Sequence, residues 1–414
     1  MSPEDIKLAS RRKFLQFLAA SPFLAASDLA AFAAERPGLL PDPMLWSPRA
    51  LDKLISNPKE AINVFDFEPV AFKNVPPAHF GYMATGSDDE VTLRANREGF
   101  RKFVLRPRRL VDVSRIDMSA NILGITCDTP IVIAPTGSNR AFHPDGELAV
   151  ARAAKTGNHL MMLSTVASTS IEDAIAARGA PVWFQLYTTQ RFEIAAALIK
   201  RAEAAGAPAI AVTLDVRAPL KWPTAVRLRR TDTRDCASCH TPNSYLSSKP
   251  NFAGIDLAGT TGTTVTNLTW DTVKRLRDTV KVKLVLKGIL AAEDAKLAAD
   301  AGIDAIVVSN HGGRVEDSVG STIEVLPEIV AAAGGRMPIL VDSGFRHGSE
   351  ILKALALGAQ AVCIGRPYLW GLGAFGQPGV ERVLAILRGE LRAAMQQLGA
   401  PSLKDITPAM VRRA

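Results

Sequence analysis

The chain has 414 residues, of which 47% are hydrophobic and 22% charged, with a net charge of +8. That balance is ordinary for a globular protein and is enough for one large domain with extensions. Part of the positive charge sits in Arg11-Arg12-Lys13. No long Lys/Arg block or aromatic–basic stripe follows, which argues against nucleic-acid binding.

The N-terminus reads Ser10-Arg11-Arg12-Lys13-Phe14-Leu15-Gln16, and residues 17–26 form an apolar stretch broken by Ser21 and Pro22. The stretch is too short and too interrupted to span a bilayer. Ala31-Phe32-Ala33 then places small residues where a signal peptidase needs them. Residues 1–33 therefore resemble a twin-arginine export signal, and the expected location is the periplasm. Residues 34–128 read as an N-terminal arm, proline-rich at first. A helix-like stretch is expected from residue 88, with Ser87 or Asp88 as its cap.

From 129 to 414 a rhythm sets in. Apolar runs suited to buried strands occur at 131–134, 160–163, 182–186, 209–214, 283–286, 305–308, 338–341 and 361–364. Alanine-rich amphipathic segments such as 147–155, 194–205, 293–301 and 349–357 lie between them. Eight strands alternating with helices imply parallel crossovers and a closed (β/α)8 TIM barrel, an α/β fold. An open doubly wound sheet is the alternative. One connection breaks the rhythm: residues 216–268 follow the fourth strand as a long insertion with no evident strand or helix, and should lie over the active face.

Polar residues gather where the strands end: Pro135-Thr136-Gly137, Ser164, Gln185 with Tyr187, Thr213 with Asp215, Lys287, His311 with Arg314, Asp342 with Gly344, and Gly365-Arg366. A barrel keeps its chemistry at those ends. In Ser309-Asn310-His311-Gly312-Gly313-Arg314, a histidine suited to proton transfer and an arginine suited to gripping a carboxylate flank two glycines. At the last two strand ends, Gly344 and Gly365 with Arg346 and Arg366 suit a phosphate. A phosphorylated cofactor lying across the mouth is expected. No GxGxxG dinucleotide fingerprint accompanies it.

These motifs, with the run from Lys353 to Ala359 and Gly365-Arg366-Pro367, resemble the FMN-dependent 2-hydroxy-acid oxidases and dehydrogenases from about Tyr82 onward. The resemblance implies FMN as cofactor and oxidation of a small L-2-hydroxy acid to a 2-oxo acid. It makes His311 the base, Asp215 its partner, Arg314 and Tyr82 the carboxylate clamp, and Tyr187 a hydrogen-bond donor to the substrate hydroxyl. Lys287 would sit beside the flavin ring. Thr136, Ser164, Gln185 and Thr213 would bond the flavin, with backbone help at Pro135 and Gly137. Asp342, Gly344, Arg346, Gly365 and Arg366 would take the ribityl chain and phosphate. Electrons would pass to a soluble acceptor protein; an oxygen-using oxidase and a non-catalytic electron carrier are the alternatives. The family is often oligomeric, so a homo-oligomer is a further expectation.

Two departures stand out. The family places another arginine after the Asp215 strand, and an ungapped alignment puts Trp222 there, with Arg217 or Lys221 as substitutes from a shifted loop. Trp222 could stack on a bulky substrate or pack the base of the loop. Inside the insertion, Cys236-Ala237-Ser238-Cys239-His240 is the attachment signature of a covalent c-type haem, with His240 as iron ligand. A Cys236–Cys239 disulfide, a metal site one ligand short, and coincidence compete with it.

Overall fold

A computed structural model describes residues 54–219, 221–234, 245–260 and 262–414. The export signal and the Cys236-Ala237-Ser238-Cys239-His240 motif lie outside these residues. Eight parallel strands close into a barrel: β1 (Ile131–Ile133), β2 (Leu160–Ser164), β3 (Trp183–Leu186), β4 (Ala209–Thr213), β5 (Lys283–Ile289), β6 (Ala305–Val308), β7 (Ile339–Val341) and β8 (Ala361–Ile364). Pairing of β8 with β1, Val362 opposite Ile131 through Ile364 opposite Ile133, completes the circle. The expected fold class is the observed one.

Strand parity divides the core. Ile133, Leu163, Phe184, Val212, Leu286, Val308, Val341 and Ile364 face outward into the layer shared with the helices. Val132, Met162, Trp183, Ala211, Val285, Val307, Leu340 and Cys363 form a separate interior cluster. Side chains alternate along a strand. The next inward positions at the C-terminal ends are therefore Ala134, Ser164, Gln185, Thr213, Lys287, Ser309, Asp342 and Gly365. The apolar interior thus ends in a largely polar layer at the mouth.

Among the described residues, three helices precede the barrel: α1 (Phe67–Asn74), α2 (Pro77–Ala84) and α3 (Val91–Glu98). The expected cap of α3 is not observed. Neither Ser87 nor Asp88 caps it; Glu90 occupies the N-cap with no side-chain bond. The Asp317 carboxylate, from the loop after β6, accepts the Thr92 and Asp89 N–H groups at 2.7 and 3.1 Å. The barrel helices are α4 (Gly146–Thr156), α5 (Ile171–Arg178) and α6 (Phe192–Ala204), then α7 (Pro223–Arg230), α8 (Trp270–Thr279) and α9 (Ala292–Asp300), and finally α10 (Thr322–Ala333), α11 (Gly348–Ala356) and α12 (Arg366–Leu398).

Helix α7 corrects the expectation of an insertion without helix. Pro223 stands in its first turn, where a missing N–H costs nothing. Its contact with α2 is close: a Cβ on Gly81 would sit 3.0 Å from the Ala225 Cα. Farther along the insertion, buried Asn251 donates to the Ser164 and Thr165 carbonyls at 3.3 and 3.2 Å. At Asn251 the insertion therefore lies against the mouth of the barrel, as its place after β4 implies.

Candidate active site

The polar layer at the barrel mouth is hydrogen-bonded in two runs. Ser164 Oγ donates to Gln185 Oε1 at 3.0 Å, and Gln185 Nε2 donates to Thr213 Oγ1 at 2.9 Å. Lys287 Nζ donates to Ser309 Oγ at 2.8 Å, and Ser309 Oγ donates to Asp342 Oδ2 at 2.9 Å. Lys287 and Asp342 also pair directly at 3.3 Å. Burial opposes charge on Lys287, but the Asp342 and Asp215 carboxylates outweigh it and raise its pKa. An ammonium ion is thereby fixed at the centre of the mouth.

His311 stands just beyond this layer, with φ at +57°. Its Nδ1 lies 2.9 Å from Asp215 Oδ1, and its Nε2 lies 3.5 Å from the Tyr187 hydroxyl. Burial acts to raise the Asp215 pKa, yet nearby His311 and Lys287 bring it below the ordinary value, so the carboxylate stays ionised. Gly288 makes room for it: a Cβ there would lie 3.0 Å from the Asp215 Cβ and Cγ. Burial, with Tyr82 and Asp215 close by, raises the Tyr187 pKa well above the ordinary phenol value and keeps its proton on.

Arg314 is clamped between rings. Its Cζ lies 4.7 Å from the Tyr82 ring centroid and 4.5 Å from that of Trp222. Nη1 donates to the Tyr82 and Thr85 carbonyls at 2.5 and 3.1 Å. Nη2 is buried with no hydrogen-bond partner among the described residues. A buried donor on a cation calls for an anion. Trp222 thus packs on Arg314, and its Nε1 donates to the Arg314 carbonyl at 2.8 Å. Arg217 turns instead to the Thr266 carbonyl at 3.1 Å, so it does not replace a second arginine.

At the other end, burial and the positive neighbours Arg97 and Arg366 lower the Arg346 pKa well below its ordinary value. Such crowding of buried cations is relieved by an anion. Gly344 has φ +89°, and a Cβ on it would collide with the Asn96 carbonyl; a Cβ on Gly365 would meet only open space. Arg366 spends its guanidinium on the Met83, Gly312 and Thr85 carbonyls at 3.1, 2.9 and 2.7 Å, tying α2 to the His311 loop. Pro135, Thr136, Gly137, Ser164, Gln185, Thr213, Lys287, Asp342, Gly344, Arg346, Gly365 and Arg366 all line one cavity, together with Tyr82, Tyr187, His311 and Arg314. Its volume is about 880 Å³ including the open mouth.

An FMN-sized ligand fits this donor set, with polar side chains along one edge, an ammonium ion in the middle, and crowded guanidinium groups beside an open glycine at the far end. Ser309 belongs to the site and was not among the sequence candidates; the inward parity of 305, 307 and 309 was the available signal. Tyr245 is a second such residue. It lies near Tyr82, and burial raises its pKa. Only its fold context places it there. The cysteines Cys236 and Cys239 and the histidine His240 fall outside the described residues, and no metal-binding group of His, Cys, Asp or Glu occurs among the described ones.

Comparisons with known proteins show what the chain resembles. Residues 71–413 match the family described as FMN-dependent dehydrogenase. Glycolate oxidase 1 of Oryza sativa subsp. indica is 40% identical over 364 residues, covering 85% of this chain and 96% of that one. A peroxisomal (S)-2-hydroxyacid oxidase of Arabidopsis thaliana is 39% identical over 366 residues, covering 85% and 97%. The crystal structure of a soluble mutant of the membrane-associated (S)-mandelate dehydrogenase from Pseudomonas putida superposes with a TM-score of 0.79 at 36% identity, covering 86% of this chain and 100% of that one. A mandelate oxidase mutant solved with (S)-mandelic acid gives a TM-score of 0.76 at 36% identity, covering 86% and 98%.

Proposed function

Since the chain belongs to the FMN-dependent dehydrogenase family, whose relatives here act on the CH–OH group of 2-hydroxy acids, we propose that it oxidises an L-2-hydroxy acid to the 2-oxo acid outside the cytoplasm. The observation that carries this reading is the Asp215–His311 pair at 2.9 Å, beside an arginine with a buried, unsatisfied donor.

Bound FMN supplies a ring that accepts two electrons from the substrate. The rest falls to the chain. Arg314 Nη2 and the Tyr82 hydroxyl hold the carboxylate, while Arg314 Nη1 stays committed to the backbone. Tyr187, kept protonated by burial, donates to the substrate hydroxyl and faces His311 Nε2. His311 takes the proton on Nε2, and ionised Asp215 steadies the resulting imidazolium through Nδ1. Lys287 would balance negative charge that develops on the ring. Ser164, Gln185 and Thr213 would bond the ring edge, with Thr136 and the backbone at Pro135 and Gly137. Gly344, Arg346 and Gly365, with Asp342, would hold the ribityl chain and phosphate, while Arg366, committed to three carbonyls, would contribute its charge. The clamp favours a substrate with a flat or bulky side chain, because Trp222 and Tyr82 present rings beside Arg314.

The test is anaerobic reduction of the flavin by a panel of 2-hydroxy acids, followed as a full visible spectrum. Bleaching by the L-enantiomers is expected; no bleaching by any member would favour a non-catalytic electron carrier. An oxygen-using oxidase is a second reading, favoured by the glycolate oxidase and mandelate oxidase relatives. Catalase-sensitive peroxide formed in step with substrate loss would decide for it.

The Ser10 to Gln16 segment supports export, and export supports a covalent haem at Cys236, Cys239 and His240 that relays electrons to a soluble acceptor. Expression with the leader in a host with haem-attachment machinery, then a haem-stained denaturing gel, tests this. Covalent haem lost in Cys236→Ala/Cys239→Ala is expected; an intact Cys236–Cys239 disulfide without haem would sink it. Assembly into a homo-oligomer is a further part of the reading, tested by light scattering.

A further inference from the structure

Three residues in a row at the heart of the site adopt left-handed backbone: His311, Gly312 and Gly313, with φ +57°, +71° and +72°. Glycine accepts this region freely, whereas a histidine there is strained and must be held. Part of the hold comes from Asn310, next to the base. Its Oδ1 accepts the Gly313 N–H at 3.1 Å, and its Nδ2 donates to the Gly320 carbonyl at 2.9 Å. The remaining donor and acceptor of that amide go outside the barrel, to Asn96 on α3. Asn96 Nδ2 donates to Asn310 Oδ1 at 2.9 Å, and Asn310 Nδ2 donates to Asn96 Oδ1 at 2.7 Å. Asn96 is 1% exposed and Asn310 is 4% exposed. The two amides form a closed, dry, reciprocal pair.

The same turn of α3 also touches the phosphate end. The Asn96 carbonyl packs on the Cα face of Gly344, where a Cβ would collide. Arg97 Nη1 donates to the Gly344 carbonyl and pairs with Glu350 at 2.7 Å. Glu350 in turn accepts the Arg346 N–H at 2.7 Å. One helical turn thus braces the loop of the base against the loop of the phosphate site.

We propose that Asn96 is a positioning residue for His311, acting through Asn310. This rests on His311 being the base. Without Asn96, the Asn310 amide keeps a buried donor and acceptor that must find other partners, and the left-handed turn loses its outer support. His311 then drifts from Asp215 and Tyr187. Misplacement of a reacting group by an ångström is enough for a large loss of rate.

The experiment uses FMN-saturated wild type and Asn96→Leu. Three quantities are measured: the FMN dissociation constant, the rate of flavin reduction, and the NMR signal of the His311 Nδ1–H, which reports its 2.9 Å hydrogen bond to Asp215, in histidine-labelled protein. Asn96→Leu should keep FMN affinity within about threefold, lower the reduction rate about tenfold or more, and shift or broaden the His311 Nδ1–H signal as the ring leaves its carboxylate partner. Asn96→Ala is made alongside in case the leucine variant does not fold. It removes both amide bonds to Asn310 without adding a charge, so the same changes are expected. A folded variant with the wild-type rate and the wild-type Nδ1–H signal overturns the proposal. So does a rate that falls only in proportion to lost FMN. Reduction of the wild type by a 2-hydroxy acid tests the function separately, and the Nδ1–H signal reads the positioning claim even if no acid tried reduces the flavin.

Discussion

At the scale of single residues, the site rests on contacts that can each be removed. His311→Ala should keep FMN and slow flavin reduction about 10²-fold or more, the usual scale for losing a general base; rapid reduction by the purified variant would exclude His311 from the chemistry. Gly288→Ala is a subtler probe. The new methyl group would stand 3.0 Å from the Asp215 carboxyl carbon at φ +105°. It should push Asp215 off the imidazole and cost about 1–3 kcal/mol of stability, read as slower reduction together with a lower melting temperature. For Trp222, the phenylalanine variant keeps a ring over Arg314 but loses the N–H donated to the Arg314 carbonyl. Trp222→Phe should raise the KM for the hydroxy acid modestly and Trp222→Ala much more, with FMN retention unchanged in both. Equal KM values for the two variants would deny the ring any part in the clamp. The strand-end residues could be read from sequence because each follows an apolar run directly. Ser309 escaped because it begins a motif whose histidine and arginine draw the eye, while its role depends on facing Lys287 and Asp342 across two strands.

Among the elements, legibility followed how much of each one is buried. The eight strands are almost wholly interior, so continuous apolar runs mark them to within three residues. Helix α7 is not legible in the sequence because Ala225 is its sole buried residue and it carries Arg227, Arg229 and Arg230. It has no apolar stripe to betray it. The start of α3 is hidden from the sequence for a different reason. Capping rules look for a local side chain, whereas Asp317 reaches Thr92 from 225 positions away. Burial works to raise the Asp317 pKa, but the N–H groups of Thr92, Val91 and neighbours prevail and lower it. Removing such a cap costs about 1 kcal/mol. Asp317→Ala should therefore lower the melting temperature, while Asp88→Ala should leave it unchanged; the opposite order would restore the local cap.

For the molecule as a whole, acid sensitivity has a definite source at the foot of the barrel. His159, at the edge of β2, is 2% exposed and meets Thr129 Oγ1 at 3.1 Å. Burial pushes its pKa down to about 4. The unfolded chain, with the ordinary histidine value of about 6.5, binds more protons between those limits. The stabilisation is complete above about pH 6.5, declines as the pH falls toward 4, and levels off below, for a total on the order of 3 kcal/mol. Denaturant melts of wild type and His159→Gln across this window should diverge, with the variant showing the flatter acid limb; parallel curves would place the sensitivity elsewhere. The barrel itself was legible because eight repeats leave few other topologies. The closure of β8 on β1 also has a consequence in time. The two strands that complete the circle lie more than two hundred positions apart along the chain, and the strand Phe103–Leu105 pairs with Val411–Arg413 across a still longer interval. Contacts so remote in sequence make folding slow. During synthesis the ring stays open until β8 has emerged. The cavity lined from Tyr82 to Leu369 therefore cannot be assembled while β8 is still unmade.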